Sequence, residues 1–190
     1  MMTEETTNSR KYATQMEVLQ AIRERLIAQV PAYTPANCFI LDQPIPEELP
    51  IGREACTITP GNGQFVESMF AGSGFNTLTE NATTIITPMV RQVRDKVRTA
   101  DRALLDLSDG LLQRKWEILR CLLEGDFDLS IYQETTKNYR WLLREQLSIR
   151  FADPPGFTQV GKYKMMGMSM TFNTPFDWGL PPLVEESDDE

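Results

Sequence analysis

The clearest pattern of apolar and polar positions lies between Thr14 and Pro31. Apolar side chains recur there at helical spacing and form one stripe, while arginine, glutamate and glutamine fill the other positions. Thr14 and Glu17 match a capping box, and Pro31 ends the pattern. These residues predict an amphipathic helix with a buried stripe of Leu19, Ile22, Leu26 and Val30, widened by Val18 and Ile27.

Short runs that are apolar or rich in β-branched residues predict strands after this helix. "CFIL" from Cys38 and "ACTITP" from Ala55 are two such runs, and a longer one extends from Thr83 to Val90. Three prolines from Pro44 to Pro50 predict a loop between the first two strands. Because proline cannot donate to a strand ladder, Pro88 is expected to mark a bulge or an edge position.

A second and a third helix are predicted in the later part of the chain. The second is expected to pack across the sheet and to end near Gly125, the residue type favoured just after a helix. Its predicted buried stripe steps by four, three and four residues through Leu112, Trp116, Leu119 and Leu123, with Leu111, Ile118 and Leu122 on the flanks. The third corresponds to "TTKNYRWLLREQLSIRF", whose last five residues are also compatible with a strand.

The stretch "KYKMMGMSM", residues 162–170, has two interpretations. Thioether sulfur is a soft ligand for Cu(I), but methionine is also an adaptable core residue. Met166, Met168, Met170 and Phe172 alternate with other residues, which is the pattern of a half-buried strand. Alternate side chains along a strand stand about 6.6 Å apart, and no histidine is present to complete a metal site, so the core interpretation is favoured.

These elements predict an α+β fold, with a mainly antiparallel sheet flanked by two or three amphipathic helices and with extended terminal arms. The predicted organisation is a flexible N-terminal arm over residues 1–13 and a single domain over residues 14–173. An extended C-terminal arm with an acidic tail is predicted over residues 174–190. The polar N-terminus does not resemble a secretory signal, and the chain contains no run of 18 apolar residues. Synthesis in a cytoplasm, with no membrane partner, is therefore expected.

The chemistry available to the chain is limited by composition. It contains no histidine among 190 residues, which excludes serine–histidine, cysteine–histidine and HExxH sites built from this chain alone. The glycine-rich residues 72–74 lack the lysine of a phosphate loop and predict a hairpin tip or a mobile loop. Cys38, Cys56 and Cys121 are expected to be small buried residues. No catalytic, cofactor-binding or metal-binding residue is predicted, and the chain is not expected to be an enzyme.

Charge is unevenly distributed along the chain. The net charge is −8, and five acidic residues lie within the last six positions. The main basic concentration comprises Arg91, Arg94, Lys96, Arg98 and Arg102. It has two interpretations: a solvated loop leading into a helix, or a patch that contacts an acidic partner or nucleic acid.

The order of elements resembles the tail-terminator and tail-completion proteins of tailed bacteriophages. The residues that carry the resemblance are "MEVLQAIRERLIAQVP", "TTIITPMVRQVR" and "MMGMSMTFNTPFDW", and the shared order extends over residues 14–178. This chain also has a segment, from Asp126 to Phe157, that a minimal member of this family would not need. That segment leaves open another neck protein, such as a head-completion or connector component.

The resemblance implies a homohexameric ring in the virion neck. Such a ring would stop polymerisation of the tail tube protein and present a surface to the head connector or stopper protein, while DNA slides through its lumen without sequence-specific binding. Arms that cannot bury much surface in a monomer fit such an assembly. The expected ring or partner interface comprises Phe65, Met69, Phe70, Phe75, Arg91, Arg94, Lys96, Arg98, Phe176 and Trp178.

Two other functions compete with this expectation. A small regulatory module would use Arg91, Arg94, Lys96 and Arg98 to hold nucleic acid, with affinity that falls steeply with salt. An enzyme is the weakest alternative, because it would have to work without histidine and without a recognisable nucleotide or metal motif.

Overall fold

A computed structural model describes seven segments of the chain: residues 15–48, 52–69, 76–91, 103–124, 130–133, 138–141 and 147–179. Within them the fold is α+β, with a mainly antiparallel sheet and helices, as predicted. The predicted N-terminal arm over residues 1–13, the hairpin tip at residues 72–74 and the acidic tail lie outside the described residues.

Two helices of more than three turns flank the sheet. Helix α1 runs from Gln15 to Gln29 and α2 from Leu111 to Leu123, and a short helical stretch over residues 103–105 precedes α2. The predicted stripe of α1 is confirmed, because Val18, Leu19, Ile22 and Leu26 are buried. No helix in the described segments is long and apolar enough to cross a membrane.

Ten strands complete the described structure. Eight belong to the main sheet, and β5 pairs with β6 in a separate two-stranded sheet. In chain order they are β1 Cys38–Ile40, β2 Glu54–Pro60, β3 Gln64–Met69, β4 Asn76–Arg91, β5 Ser130–Gln133, β6 Asn138–Trp141, β7 Ser148–Ala152, β8 Gly156–Val160, β9 Tyr163–Gly167 and β10 Met170–Gly179.

The 16-residue strand β4 is the axis of the main sheet. Along one side it pairs first with β3 and then with β2, and along the other side with β10 and then with β9. β1 extends the sheet beyond β2 in parallel, and β7 extends it beyond β10 in antiparallel orientation. The predicted strand over residues 83–90 is therefore confirmed and is longer than the pattern indicated.

The core lies between the helices and one face of the sheet. Side chains from α1 and α2 pack there against alternate residues of the central strands, including Cys56, Ile58, Ile86, Met170 and Phe172. The predicted burial of all three cysteines is confirmed, and none is in a disulfide. Position 86 of β4 lies opposite both Ile58 and Met170, so one row of side chains crosses three strands beneath the helices.

The methionine stretch is two strands rather than the single alternating strand that was predicted. β9 ends at Gly167 and β10 begins at Met170, so the ladder is interrupted at Met168 and Ser169. Pro88 of β4 faces this interruption. Its carbonyl oxygen accepts a 3.3 Å hydrogen bond from the Met168 amide. The nitrogen and the carbonyl of one strand residue point to the same side, so the Pro88 nitrogen also faces β9 and β10, but it has no hydrogen to donate to the ladder.

Methionines on both faces of β9 are buried. Met165 packs with Met89 and Val160, whereas Met166 and Met168 pack with Leu111 and Val90, so residues of both parities are buried. The expectation of one apolar and one exposed face was therefore wrong. The interpretation of these residues as core is confirmed, since all four methionines between positions 165 and 170 are buried.

Two further expectations need correction. The segment predicted as a third helix contains β6, residues Asn138–Trp141, and β7 confirms the alternative of a strand for "LSIRF". The C-terminal arm was predicted to start at residue 174, but β10 continues to Gly179 and pairs with β4 along this length. Residues 174–179 are held in the sheet by backbone pairing with β4. The hydrophobic pattern of the sequence did not indicate this pairing.

Candidate interaction surface

A three-stranded ribbon extends from the part of the sheet that the helices cover. It comprises β3, residues 76–81 of β4 and residues 174–179 of β10, and we call it the ribbon. β7 pairs with β10 only as far as Asn173, at the point where the ribbon begins. Among the described residues, the outer edges of β3 and of the β10 half have no strand partner. Unpaired edges of this kind favour contact with another chain.

Strand register brings several of the predicted interface residues together on the ribbon. Glu80 of β4 pairs with Phe65 of β3 on one side and with Phe176 of β10 on the other. Two residues earlier in β4, Leu78 pairs in the same way with Glu67 of β3 and Trp178 of β10. Residues opposite one another in a ladder share a face, so these positions lie on one side of the ribbon, with Met69 at its end. The Phe65 side chain is 56% exposed.

That side of the ribbon continues the face on which the helices pack. Glu80 and Ile86 are an even number of residues apart along β4, and Ile86 belongs to the core beneath α1 and α2. A threonine pair, Thr84 and Thr174, lies between them with the two hydroxyl oxygens 3.0 Å apart. The ribbon therefore carries a core-type face past the end of the core.

The basic patch is only partly within the described residues. Arg91 ends β4 and is exposed, and its guanidinium stacks on the Tyr163 ring at 3.9 Å from the centroid. Lys162 lies 5.4 Å from the same centroid. Arg91 therefore makes a cation–π contact at the end of the sheet. The other predicted basic residues, Arg94, Lys96 and Arg98, lie outside the described residues, as do Phe70 and Phe75.

The face of α2 that packs on the core is not the face predicted from the sequence pattern. Leu111, Arg114, Ile118, Cys121 and Leu122 are buried. The predicted stripe instead faces outward, with Trp116 53% exposed and Leu112 and Leu123 also exposed. Only Leu119 of that stripe packs partly against the core. We call the outward row of Leu112, Trp116, Leu119 and Leu123 the α2 stripe.

An ion-pair network explains this orientation of α2. The Arg114 guanidinium bonds to both oxygens of Glu54, at 2.6 and 3.1 Å, to Glu117 at 2.7 Å and to the Ser108 carbonyl at 2.9 Å. The Arg114 and Glu54 side chains are only 7% and 10% exposed. Burial disfavours the charged guanidinium, but the hydrogen bonds that it donates to the Glu54 and Glu117 carboxylates outweigh this cost and raise the pKa of Arg114.

Besides the Arg114 network, a cluster of ionisable side chains lies in the core beside β1 and β2. Cys38 and Cys56 are directly paired between these parallel strands, and the Tyr33 phenol lies close to Cys56. Burial raises the pKa of the Cys56 thiol and of the Tyr33 phenol well above their ordinary values. Burial also raises the pKa of the Cys121 thiol. These groups are therefore held protonated, which is the unreactive form of a thiol.

We expect these pKa shifts to make the fold unstable in alkali. A group whose pKa is higher in the folded state than in the unfolded state stabilises the fold fully at pH values below its unfolded-state pKa. This stabilisation is lost progressively as the pH rises from the unfolded-state pKa to the folded-state pKa. The free energy of unfolding should fall above pH ~9, by up to about 1.4 kcal/mol per pH unit for each such group. Cys38 acts in the opposite sense, because its hydrogen bond with the Cys56 thiol lowers its pKa, and it offsets part of this loss. Urea titrations between pH 7 and 10.5 measure this slope.

The variant Cys121→Ala removes one thiol from the α2 side of the core and is the control for this slope. It should reduce the slope while keeping the loss due to Cys56 and Tyr33. A free energy of unfolding that stays constant from pH 8 to 10.5 would contradict the assignment.

No group of three or more cysteine, aspartate or glutamate side chains able to hold a metal occurs among the described residues. A polar groove at the base of the ribbon is lined by amides such as Asn81 and Asn173 and by Arg150, without a carboxylate or a thiol. This groove offers hydrogen bonds and one cation.

Neither a protein-family model nor a curated protein matches this chain.

Proposed function

We propose that the chain is a ring-forming structural protein of the tailed-bacteriophage neck, a tail terminator that caps the tail tube and joins it to the head connector. The observation that carries this proposal is the ribbon. Three separate segments of the chain place Phe65, Phe176 and Trp178 on one face of a sheet extension with unpaired edges. A surface of this kind suits contact between subunits.

Ring closure requires two different surfaces on each subunit, because a head-to-tail contact repeats around the ring until it closes. The ribbon supplies one apolar surface and the α2 stripe supplies another on a separate element. A self-complementary dimer would need only one. Two distinct apolar surfaces on one small chain therefore support a cyclic assembly better than a two-fold dimer.

The charge of the chain supports passage of DNA through such a ring. The net charge is −8, and about −3 remains after the five acidic residues of the last six positions are removed. An acidic ring repels phosphates and does not hold DNA by counterion release. A head-completion or connector protein of the neck would share these properties, so the terminator is distinguished from them by its effect on the tail tube.

The test is assembly of the full chain alone and with the tail tube protein of the same phage. We expect light scattering after size exclusion and negative-stain images to show rings, and polymerising tubes to end at a ring and stay short. The Phe65→Glu variant should lose both properties. Phe151→Glu is the control, because Phe151 is similarly exposed and lies opposite Thr171, on the sheet face away from the helices.

A chain that forms no ring and binds neither tube nor connector protein, even when the partners are present, would refute the proposed function. Rings that bind the connector but leave tube length unchanged would indicate another neck component. Tight DNA binding with a steep salt dependence would instead favour a nucleic-acid-binding module.

A further inference from the structure

Two of the three cysteines lie next to each other on neighbouring strands. Cys38 of β1 is directly paired with Cys56 of β2 in the parallel ladder. Residues paired in this way point to the same face of a sheet, and both side chains belong to the core cluster that also contains the buried stripe of α1. Neither thiol is in a disulfide. The pair is therefore a dithiol formed by strand register.

The spacing of the two strands suits a covalent bond between these thiols. Neighbouring strands lie about 4.8 Å apart. The Cα atoms of a disulfide are usually about 4.4–6.8 Å apart, so the backbone already satisfies the main geometric requirement. Cys121 is placed differently, because it lies on α2 and its thiol donates to the Arg25 carbonyl of α1 at 3.6 Å. Strand pairing thus selects Cys38 and Cys56 from the three cysteines.

The two thiols differ in their readiness to react. The hydrogen bond with the Cys56 thiol and the nearby Arg23 guanidinium lower the pKa of Cys38, whereas burial raises the pKa of Cys56. The thiolate is the nucleophile in thiol chemistry, and a neighbouring arginine favours it. Cys38 is therefore the thiol that attacks first, and Cys56 is the protonated thiol beside it.

Access to this pair requires a local opening, since both side chains are 0% exposed. β1 is suited to such an opening, because it has three residues and, within the described segments, only β2 as a strand partner. The half-buried Arg23 holds its free edge by donating to the Cys38 carbonyl at 2.7 Å and to the Pro35 carbonyl at 3.2 Å. Short edge elements of this kind open at a lower free energy than the rest of a domain.

We infer that Cys38 and Cys56 are an oxidation site, at which a small disulfide such as oxidised glutathione creates a covalent link between β1 and β2. The Cys38 thiolate attacks one sulfur of glutathione disulfide, which forms a mixed disulfide and releases one glutathione thiolate. The Cys56 thiol then loses its proton and attacks the Cys38 sulfur, which releases the second glutathione. The chain is oxidised by two electrons, and one glutathione disulfide is reduced to two thiols.

The link fastens the shortest strand of the main sheet to its neighbour. It closes the loop between positions 38 and 56, which contains the proline-rich segment from Pro44 to Pro50. A reducing cytoplasm keeps such thiols free, whereas an extracellular medium allows them to oxidise. The inference does not rest on the proposed function, because the reaction needs neither a ring nor a tube protein.

Counting thiols in the full-length chain tests the inference. The native protein is incubated with oxidised glutathione, then denatured and treated with iodoacetamide. We expect one alkylated cysteine, Cys121, and a chain lighter by two hydrogen atoms, with the peptides of Cys38 and Cys56 joined in a digest. The chain kept in reduced glutathione should show three alkylated cysteines.

Single variants identify the two partners. Cys121→Ala is the matched control and should form the same link with no cysteine left to alkylate. Cys56→Ala should retain glutathione on Cys38, because the second attack is impossible. Cys38→Ala should leave Cys56 free, since that thiol is the protonated one. Circular dichroism confirms that each variant is folded, so that a missing link is not a loss of structure.

Urea titration measures what the link does to the fold. Closing a loop of this length should lower the unfolding equilibrium constant of the oxidised chain about 100-fold relative to the reduced chain. Three free thiols after prolonged oxidation, a link that involves Cys121, or an oxidised chain no more stable than the reduced one would overturn the inference. These results leave the terminator proposal untouched, since ring formation and tube capping are measured on the reduced chain.

Discussion

Replacing Met168 with aspartate is expected to leave the chain largely unfolded at neutral pH. Met168 is buried in the cluster that joins α2 to β9, beside Leu111, Val90 and Met166. A carboxylate at this position must either remain charged in an apolar environment or take up a proton, and both cost several kcal/mol. A domain of this size is stable by only about 5–15 kcal/mol, so most of that margin would be lost.

Circular dichroism and urea titration measure this effect, with two matched controls. Met168→Leu keeps the volume and apolar character and should cost less than about 1.5 kcal/mol. Met16→Asp places the same charge at an exposed methionine in the first turn of α1, where the helix dipole favours it. A Met168→Asp chain that folds and assembles normally but has lost a bound metal would restore the thioether-site interpretation.

Removing the Arg114 side chain should be the most damaging change to a charged residue in the described structure. Arg114→Ala leaves the carboxylates of Glu54 and Glu117 without their main cation, and Glu54 is only 10% exposed. Breaking a buried pair by deleting one partner costs about 3–5 kcal/mol. The loss should appear as a lower urea midpoint with an unchanged slope.

Arg120→Ala is the matched control for this prediction. Arg120 and Glu124 lie on the same helix with the same 2.6 Å separation, but their side chains are 60% and 65% exposed. An exposed pair four residues apart contributes about 0.3–0.5 kcal/mol. Adding Glu54→Gln to Arg114→Ala should recover part of the loss, because it removes an orphaned charge. Equal effects of Arg114→Ala and Arg120→Ala would show that burial does not determine the strength of this network.

Local periodicity was sufficient where only one face of an element is apolar. α1 has a single stripe ended by a proline, and its bounds and buried residues match the prediction. β1 is a short apolar run and β2 is rich in β-branched residues, and their positions were also predicted. In each case the favourable arrangement is dictated by neighbours within a few residues, so the sequence contains the required information.

Local periodicity failed to predict the buried face where two orientations of an element would bury similar apolar area. Leucine and isoleucine occupy both sides of α2, at 111, 118 and 122 on one side and at 112, 119 and 123 on the other. The buried side is the one that carries Arg114, because Glu54 lies 60 residues away in sequence on β2 and satisfies its charge. The methionine stretch is similar, since Pro88 on another strand interrupts its ladder.

The candidate interaction surface was also predictable only in part from the sequence. Phe65, Phe176 and Trp178 could be proposed individually as interface residues because they are aromatic positions near turns or chain ends. Their alignment across residues 78 and 80 depends on β4 pairing with two strands that are about 110 residues apart in the chain. The α2 stripe was recognised as apolar, but its exposure follows from the Arg114 network.

The sequence by itself determined the α+β class, α1, the principal strands, the burial of the cysteines and the absence of histidine chemistry. These features depend on composition and on the period of apolar residues over short distances. Only the tertiary structure decided which face of α2 is exposed, where the methionine strand breaks and which aromatic positions share the ribbon. Those outcomes depend on long-range strand pairing and on the pairing of a buried charge, which no local period encodes.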